Sequence, residues 1–270
     1  MTRRGAGPAL AIALAGGLAR VAPAQVAANR AAAYLPVTDV GDVRALWVNP
    51  AGLAVGQQAA VLFDLTVLDP GTNGRLAQFS TGFNARGLAF GYQRDMFAGG
   101  IHGHTYRLGV GGVSRGLAFG VDLAVYRGAT SGVGWDFGVR YDWHPALTLG
   151  AVWRDVGQPT VRGVPLRATL VPGITIRPLG ANLAVSAQSA LTSSGARGYA
   201  LEARAALPTR SRIALLARLD ADRNWHRQVL VFGLAIGRTN EVGLVGSFPS
   251  ASGSPNVVSA YGVATRAPAR

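Results

Sequence analysis

The stretch GWDFGVRYDW, residues 134–143, sets Trp135, Phe137, Val139, Tyr141 and Trp143 against Asp136, Gly138, Arg140 and Asp142. A period of two is the side-chain repeat of an extended chain, so this is a strand with one apolar and one polar face. The pattern recurs along the chain. RGLAFGVDLAVY puts Leu117, Phe119, Val121, Leu123 and Val125 opposite Ala118, Gly120, Asp122 and Ala124. NLAVSAQSAL puts Leu183, Val185 and Ala187 opposite Asn182, Ser186 and Gln188, and GYALEARAAL puts Tyr199, Leu201 and Ala203 opposite Glu202 and Arg204. About fourteen such segments follow one another, each near the ten residues that a tilted strand needs to cross a bilayer. They begin near Ala60, Arg75, Arg86, His104, Arg115, Gly134, Leu147, Val164, Asn182, Gly198, Arg212, Arg227, Thr239 and Asn256. Within VPLRATLVPGITIRP, Pro172 and Gly173 interrupt the alternation and imply a bulge or a kink.

The connections carry a second signal. DPGTNG, DMFAGGIHG, RGATSGV, DVGQPTVR, LTSSGARG, DADRN and SFPSASGSP alternate with the tighter NA, GVS, WHPA, PLG, LPTRS and IGR. Long outer loops and short periplasmic turns in strict alternation are the signature of an outer-membrane barrel, and an even strand number leaves both termini on the short-turn side. Composition agrees. Charged residues make up 14% of the chain, against about 25% in ordinary soluble domains. A large part of the surface is therefore expected to face something other than water. No continuous apolar run of helical length follows the N-terminus, so the crossing must be made by strands. Closing a sheet into a barrel satisfies every backbone group and leaves no edge. The aromatic residues Tyr92, Trp135, Trp143, Trp153, Tyr199 and Trp225 are placed near strand ends, as girdle residues are.

Residues 1–24 read as a secretory signal peptide: Arg3 and Arg4, the apolar run PALAIALAGGLA, and an A-x-A cleavage site ending at Ala24. Residues 25–59 form a lead-in, and residues 60–266 the barrel. In the lead-in, Asp42 is positioned to N-cap a short helix running through Trp47. Asn49-Pro50-Ala51-Gly52 has the residue order of a type I turn. Leu46, Trp47 and Leu53 then offer apolar contacts to a wall. This segment is read as a plug that closes the lumen, or else as a structural lead-in that seats the first strand.

The same stretch, VRALWVNPAGLA, resembles the signature near the mature N-terminus of the FadL-like outer-membrane proteins, and most of all their PorV/PorQ branch. AVWRDVGQPT and VPLRATLVPGITIRP resemble later strands of that family. The resemblance implies an all-β fold: an antiparallel transmembrane β-barrel of about 14 strands, with a short N-terminal helical plug segment folded into the lumen. It also implies passive transport of small hydrophobic compounds, or alternatively a non-conducting barrel that serves as scaffold or component of a secretion apparatus. The expected setting is the outer membrane, with its lipid, hydrophobic small molecules and secretion-system proteins as candidate partners.

Other chemistries find little to stand on. The net charge is +13, but the 26 basic residues are all arginine and scattered singly, without the basic patch that nucleic acid requires. No nucleic-acid partner is expected. The absence of cysteine excludes disulfides and cysteine-based metal sites. His102 and His104 share a strand face but lack a third ligand nearby, so no metal site is expected. GVGGVSRG joins two strands and reads as a hairpin turn, not a phosphate loop. Asp122, Asp136, Arg140, Asp142, Arg154, Glu202, Arg204 and Arg218 fall on the inner face, where charges pair with each other or line a wet channel. No carboxylate pair is singled out for catalysis, and neither an enzymatic activity nor a cofactor is expected.

Overall fold

Fourteen antiparallel strands close into a barrel around a short helical segment. The computed structural model describes residues 29–56, 59–207, 209, 211–250 and 254–266. The expected signal peptide lies outside the described residues. The strands are β1 (Ala59–Leu68), β2 (Arg75–Ala85), β3 (Leu88–Met96), β4 (His102–Ser114), β5 (Leu117–Gly128), β6 (Thr130–His144) and β7 (Leu147–Val156). They continue as β8 (Thr169–Ile176), β9 (Leu183–Thr192), β10 (Gly195–Leu207), β11 (Ile213–Asp222), β12 (Arg227–Ile236), β13 (Asn240–Pro249) and β14 (Val257–Arg266). Each strand pairs with its chain neighbours. The ring closes where β1 meets β14, from Ala59 opposite Arg266 to Leu68 opposite Val257. Among the described residues, no helix is long and apolar enough to cross a membrane.

Alternation decides which way each side chain points. In β6, Trp135, Phe137, Val139 and Tyr141 stand exposed on the outside, while Asp136 and Arg140 are buried on the inside. In β5, Phe119 is 54% exposed and Asp122, three residues on, is 0% exposed. An exterior of Phe, Leu, Val and Trp with a buried polar interior inverts the arrangement of a water-soluble protein. It is the arrangement a barrel needs in hydrocarbon.

Three strand starts differ from the sequence reading by three residues or more. β6 begins at Thr130 rather than Gly134, and β10 at Gly195 rather than Gly198. Residues expected as outer loop are drawn into longer strands, because a tight turn suffices: residue 129 alone joins β5 to β6, and residues 193–194 join β9 to β10. β8 begins at Thr169 rather than Val164. Val164–Pro165 instead pairs with Thr160–Val161, which extends the ladder from Thr130 and Ser131 of β6. The strict alternation of connections therefore does not hold throughout. Residues 177–182 make a longer connection than the tight PLG that was expected. It holds best at the start of the barrel, where residues 69–74 are followed by residues 86–87. There Arg86 and Gly87 both have positive φ, as a type I′ hairpin turn requires. Tyr92, expected at a strand end, lies inside β3 beside Phe79 and Tyr106.

Pro172 produces neither a bulge nor an inserted residue. Toward β7 the pairing is continuous. Toward β9 it stops after Leu170–Leu191 and resumes in the same register at Gly173–Gln188. Proline lacks the N–H that the ladder needs, so the bonds lapse locally while the alignment is kept.

Val139 lies near the middle of β6, facing outward. Val139→Arg is expected to destabilise the lipid-embedded barrel by about 2–4 kcal/mol. The folded fraction read from heat-modifiable migration on detergent gels across a urea series checks this. Equal midpoints for the two proteins would contradict an outward, lipid-facing position.

Candidate functional site

The segment before β1 occupies the interior. It contains α1 (Ala45–Val48) and a 3-10 turn (Pro50–Ala54), and every residue of both is buried. The helix starts later than Asp42 capping implied. Asp42 still accepts the backbone N–H of Arg44, at 2.8 Å, and receives its guanidinium at 2.6 Å. Burial pushes the Asp42 carboxyl up, but the charge of Arg44 and the hydrogen bonds from it outweigh this and hold it below its ordinary value.

One wall is shaped to receive this segment. Inner-face glycines form a floor with no side chains. A Cβ at Gly82 or Gly91 would meet the Trp47 ring, and at Gly109 it would meet Leu46 and Leu53. At Gly120 it would strike Pro50, and at Gly138 Asn49 and Ala51. These positions lie on β2, β3, β4, β5 and β6, so the segment rests across five consecutive strands. Leu46, Trp47 and Leu53 fill the gap above them, each almost fully buried. Burying an aliphatic side chain of this size contributes about 1.5–3 kcal/mol.

Asn49 pins the turn. Its side-chain amide donates to Val37 O at 2.7 Å and to Val139 O at 3.2 Å, and its Oδ1 accepts from Ala51 N at 3.1 Å. Gly52 N donates to Asn49 O at 2.9 Å, which closes the expected turn. At Gly52 itself a side chain would collide with Val40 O, so the chain can fold back on itself only with glycine there.

The inner-face arginines act on the segment's backbone. Arg107 of β4 donates to Leu46 O at 3.1 Å, and Arg154 of β7 to Val48 O at 2.6 Å. The last carbonyls of a helix have no partner within it, and a cation there also suits the helix dipole. Arg140 donates to Val40 O at 3.1 Å, and Arg218 to Tyr34 O at 2.8 Å. Carboxylates hold the arginines in turn. Arg107 pairs with Asp122 and, at 2.9 Å, with Asp136. Arg140 pairs with Asp142 at 3.1 Å and Arg218 with Asp220 at 2.8 Å. Of the inner residues singled out in the sequence, Asp122, Asp136, Arg140, Asp142, Arg154 and Arg218 thus belong to the seating of the segment. Arg204 stands apart and pairs with Glu241 at 3.1 Å. Glu202 is buried cross-strand from Arg218, and its Oε2 has no hydrogen-bond partner among the described residues.

Sequence reading missed Arg107, Arg44, Glu241, Tyr34 and Tyr261. Arg107 was legible: it alternates with Tyr106 and Leu108 on the face of Thr105 and Gly109. The others depend on how the segment meets β13 and β14. Arg44 reaches Glu241 of β13 at 3.0 Å and lies 5.0 Å from the Tyr261 ring of β14. Tyr261 donates to Glu241 at 3.0 Å, and its ring stands 6.4 Å from that of Tyr34. Burial holds the Tyr34 phenol well above its usual value, so it stays neutral.

The wall formed by β11–β14 fits the segment less closely. Toward the loop at residues 223–226 there is a cavity of ≈ 170 Å³, lined by Ala33, Tyr34, Val229, Val231, Val245 and Val257 together with Arg30, Asp220, Ser247 and Ser259. Elsewhere, His104 Nδ1 is hydrogen-bonded to Tyr92 at 2.8 Å. Among the described residues, no group of three His, Cys, Asp or Glu side chains is placed to hold a metal ion.

Arg107→Ala is expected to cost about 3–5 kcal/mol, because it leaves Asp122 and Asp136 buried without their cation. Adding Asp122→Asn and Asp136→Asn to Arg107→Met is expected to recover part of that loss. Urea midpoints of the single and triple variants check both statements. A wild-type midpoint for Arg107→Ala would contradict the clamp.

No protein-family model matches the sequence, and no curated protein does either. Solved structures do match in fold. The toluene transporter TbuX of Ralstonia pickettii is 14% identical, with a TM-score of 0.53 over 82% of this chain and 92% of that one. The monoaromatic hydrocarbon channel CymD is 12% identical, with a TM-score of 0.52 over 86% and 93%. A deltaS2S3 mutant of the monoaromatic hydrocarbon channel TodX is 11% identical, with a TM-score of 0.52 over 83% and 94%. At these identities the likeness establishes a shared fold.

Proposed function

We propose that this chain is an outer-membrane channel that passes small hydrophobic molecules passively, after export by a cleaved signal peptide. The apolar cavity between the seated segment and β11–β14 is the observation that carries this reading. At ≈ 170 Å³, with Val229, Val231, Val245 and Val257 among its lining residues, it has room for one small ring or short chain. A dry aliphatic cavity of about 150 Å³ is known to accept benzene. The barrel's apolar exterior supports a bilayer setting. The fold likeness to toluene and monoaromatic hydrocarbon channels points the same way.

The inner charges do not favour an enzyme. They are spent on seating the segment, and a catalytic acid or base must reach a substrate. The FadL-like resemblance of the NPAGLA stretch agrees with the channel reading, while its PorV/PorQ refinement and the secretion scaffold draw no support from the likeness to hydrocarbon channels. Outer-membrane lipid and small hydrophobic molecules are the proposed partners.

Val231→Trp places an indole in the cavity. Uptake of an apolar fluorescent probe into proteoliposomes is expected to exceed that into empty vesicles, and to fall about tenfold in the variant. Uptake equal to that of empty vesicles would sink the channel reading.

A further inference from the structure

The N-terminal segment is bound unequally to its two walls. Toward β2–β8 it lies on glycines, with Asn49, Arg107, Arg140 and Arg154 bonded into its backbone or its turn. Toward β11–β14 the contact is discontinuous. The apolar cavity at the outer-loop end is one of three voids along this side. A second, of ≈ 200 Å³, opens at the short-turn end among Asp39, Asp42, Arg44, Arg204, Arg238 and Glu241. Between them is a neck of ≈ 20 Å³. The three share walls: Tyr34 and Val245 border both the apolar cavity and the neck, while Leu35, Arg44, Ala214 and Glu241 border both the neck and the polar cavity.

The neck has room for about one water molecule, far too little for a hydrocarbon ring. Bonded side chains gather at it. Glu241 receives Arg44 at 3.0 Å, Arg204 at 3.1 Å and the Tyr261 hydroxyl at 3.0 Å. Arg44 lies over the Tyr261 ring, and Tyr34 faces that ring from the segment. Tyr34 Oη is buried and makes no well-formed hydrogen bond, so polar capacity remains unspent at the neck.

We infer that the transit path is this seam between the segment and β11–β14, closed at its neck by a latch of Arg44, Glu241, Tyr261 and Tyr34. The inference rests on the channel reading for what passes, and deepens it by naming the gate. Opening requires Tyr261 and Arg44 to change rotamer around Glu241. It does not require the segment to leave the glycine floor. A neutral apolar molecule waits in the outer cavity, passes when the latch parts, and leaves through the arginine-bordered inner cavity, which gives it no apolar lodging. Tyr261 and Glu241 are therefore the residues that set what passes and how fast.

Because the chain has no cysteine, single cysteines report cleanly. Leu216→Cys places a thiol at the neck, and Ala124→Cys places one on the far inner wall, at β5. Reaction of the full chain in detergent with a water-soluble thiol reagent is measured with and without Tyr261→Ala. The latch predicts slow reaction at Leu216→Cys, about tenfold faster with Tyr261→Ala, and no change at Ala124→Cys. Glu241→Gln, which keeps the shape of the side chain, is expected to shift Leu216→Cys in the same direction. An unchanged rate at Leu216→Cys, or an equal acceleration at Ala124→Cys, would overturn the latch. In proteoliposomes, a bulky reagent on Leu216→Cys is expected to abolish apolar-probe flux through the Tyr261→Ala variant. Flux that survives full labelling would overturn the seam as the path. Absent flux in every variant, combined with the predicted labelling, would support the latch and remove the channel reading instead.

Discussion

A segment inside a barrel has a problem that the strands do not share. Each strand pays for its backbone through two neighbours, whereas residues 34–48 have no ladder to join and little water around them. Buried carbonyls without donors are costly, at about 1–3 kcal/mol each. Here the donors come from the wall. Arg218 serves Tyr34 O, Arg140 serves Val40 O, Arg107 serves Leu46 O, Arg154 serves Val48 O, and Asn49 serves Val37 O. The rest of the interior follows from these bonds. Arginines in a low-dielectric lumen need carboxylates, and Asp122, Asp136, Asp142 and Asp220 stand beside them. Buried pairs of this kind add little net stability in themselves, but losing one partner is severe. They act here as fixed donors that hold one conformation of an irregular backbone.

The glycines complete the arrangement from below. An inner face built of ordinary side chains would hold α1 away from the wall and out of reach of the arginines. Gly82, Gly91, Gly109, Gly120 and Gly138 let it settle onto five strands at once. The opposite wall carries Val229, Val231, Ala214, Leu216, Ala235 and Val245 in place of such a floor, and three voids lie along it. The asymmetry turns a plug into a partition. One side is sealed by shape and hydrogen bonds, and the other is a seam whose narrowest point depends on movable side chains.

Much of the architecture could be read from the residues alone, because period-two alternation fixes direction without a three-dimensional reference. The inward placement of Asp122, Asp136 and Arg140 and the outward placement of Phe119 and Val139 follow from it directly. The turn at Asn49 to Gly52 was legible from residue order. Loop lengths were less so: Gly and Ser in RGATSGV suit an open loop and an extended ribbon equally well, and pairing of Thr130 and Ser131 with Val161 and Thr160 chose the ribbon. The partners of the inner charges were not legible at all. Whether Arg154 lines water or clasps Val48 O depends on how the segment lies against the wall, and so does the meeting of Arg44 with Glu241 and Tyr261. No local pattern encodes those distances. The same residues that looked like a polar channel lining turn out to be ligands of a backbone.

The central claim is that the N-terminal segment is a fixed part of the wall on the β2–β8 side. Native-state hydrogen exchange of the backbone amides at Asn49, Gly52 and their neighbours tests it most directly. Gly52 N and Asn49 N are both bonded within the segment, so their exchange reports its local opening. The account predicts that these amides exchange as slowly as those of β4 and β5, through opening of the barrel as a whole. Rapid exchange at Asn49 and Gly52 while β4 and β5 remain protected would mean that the segment leaves the floor on its own, and would contradict the claim.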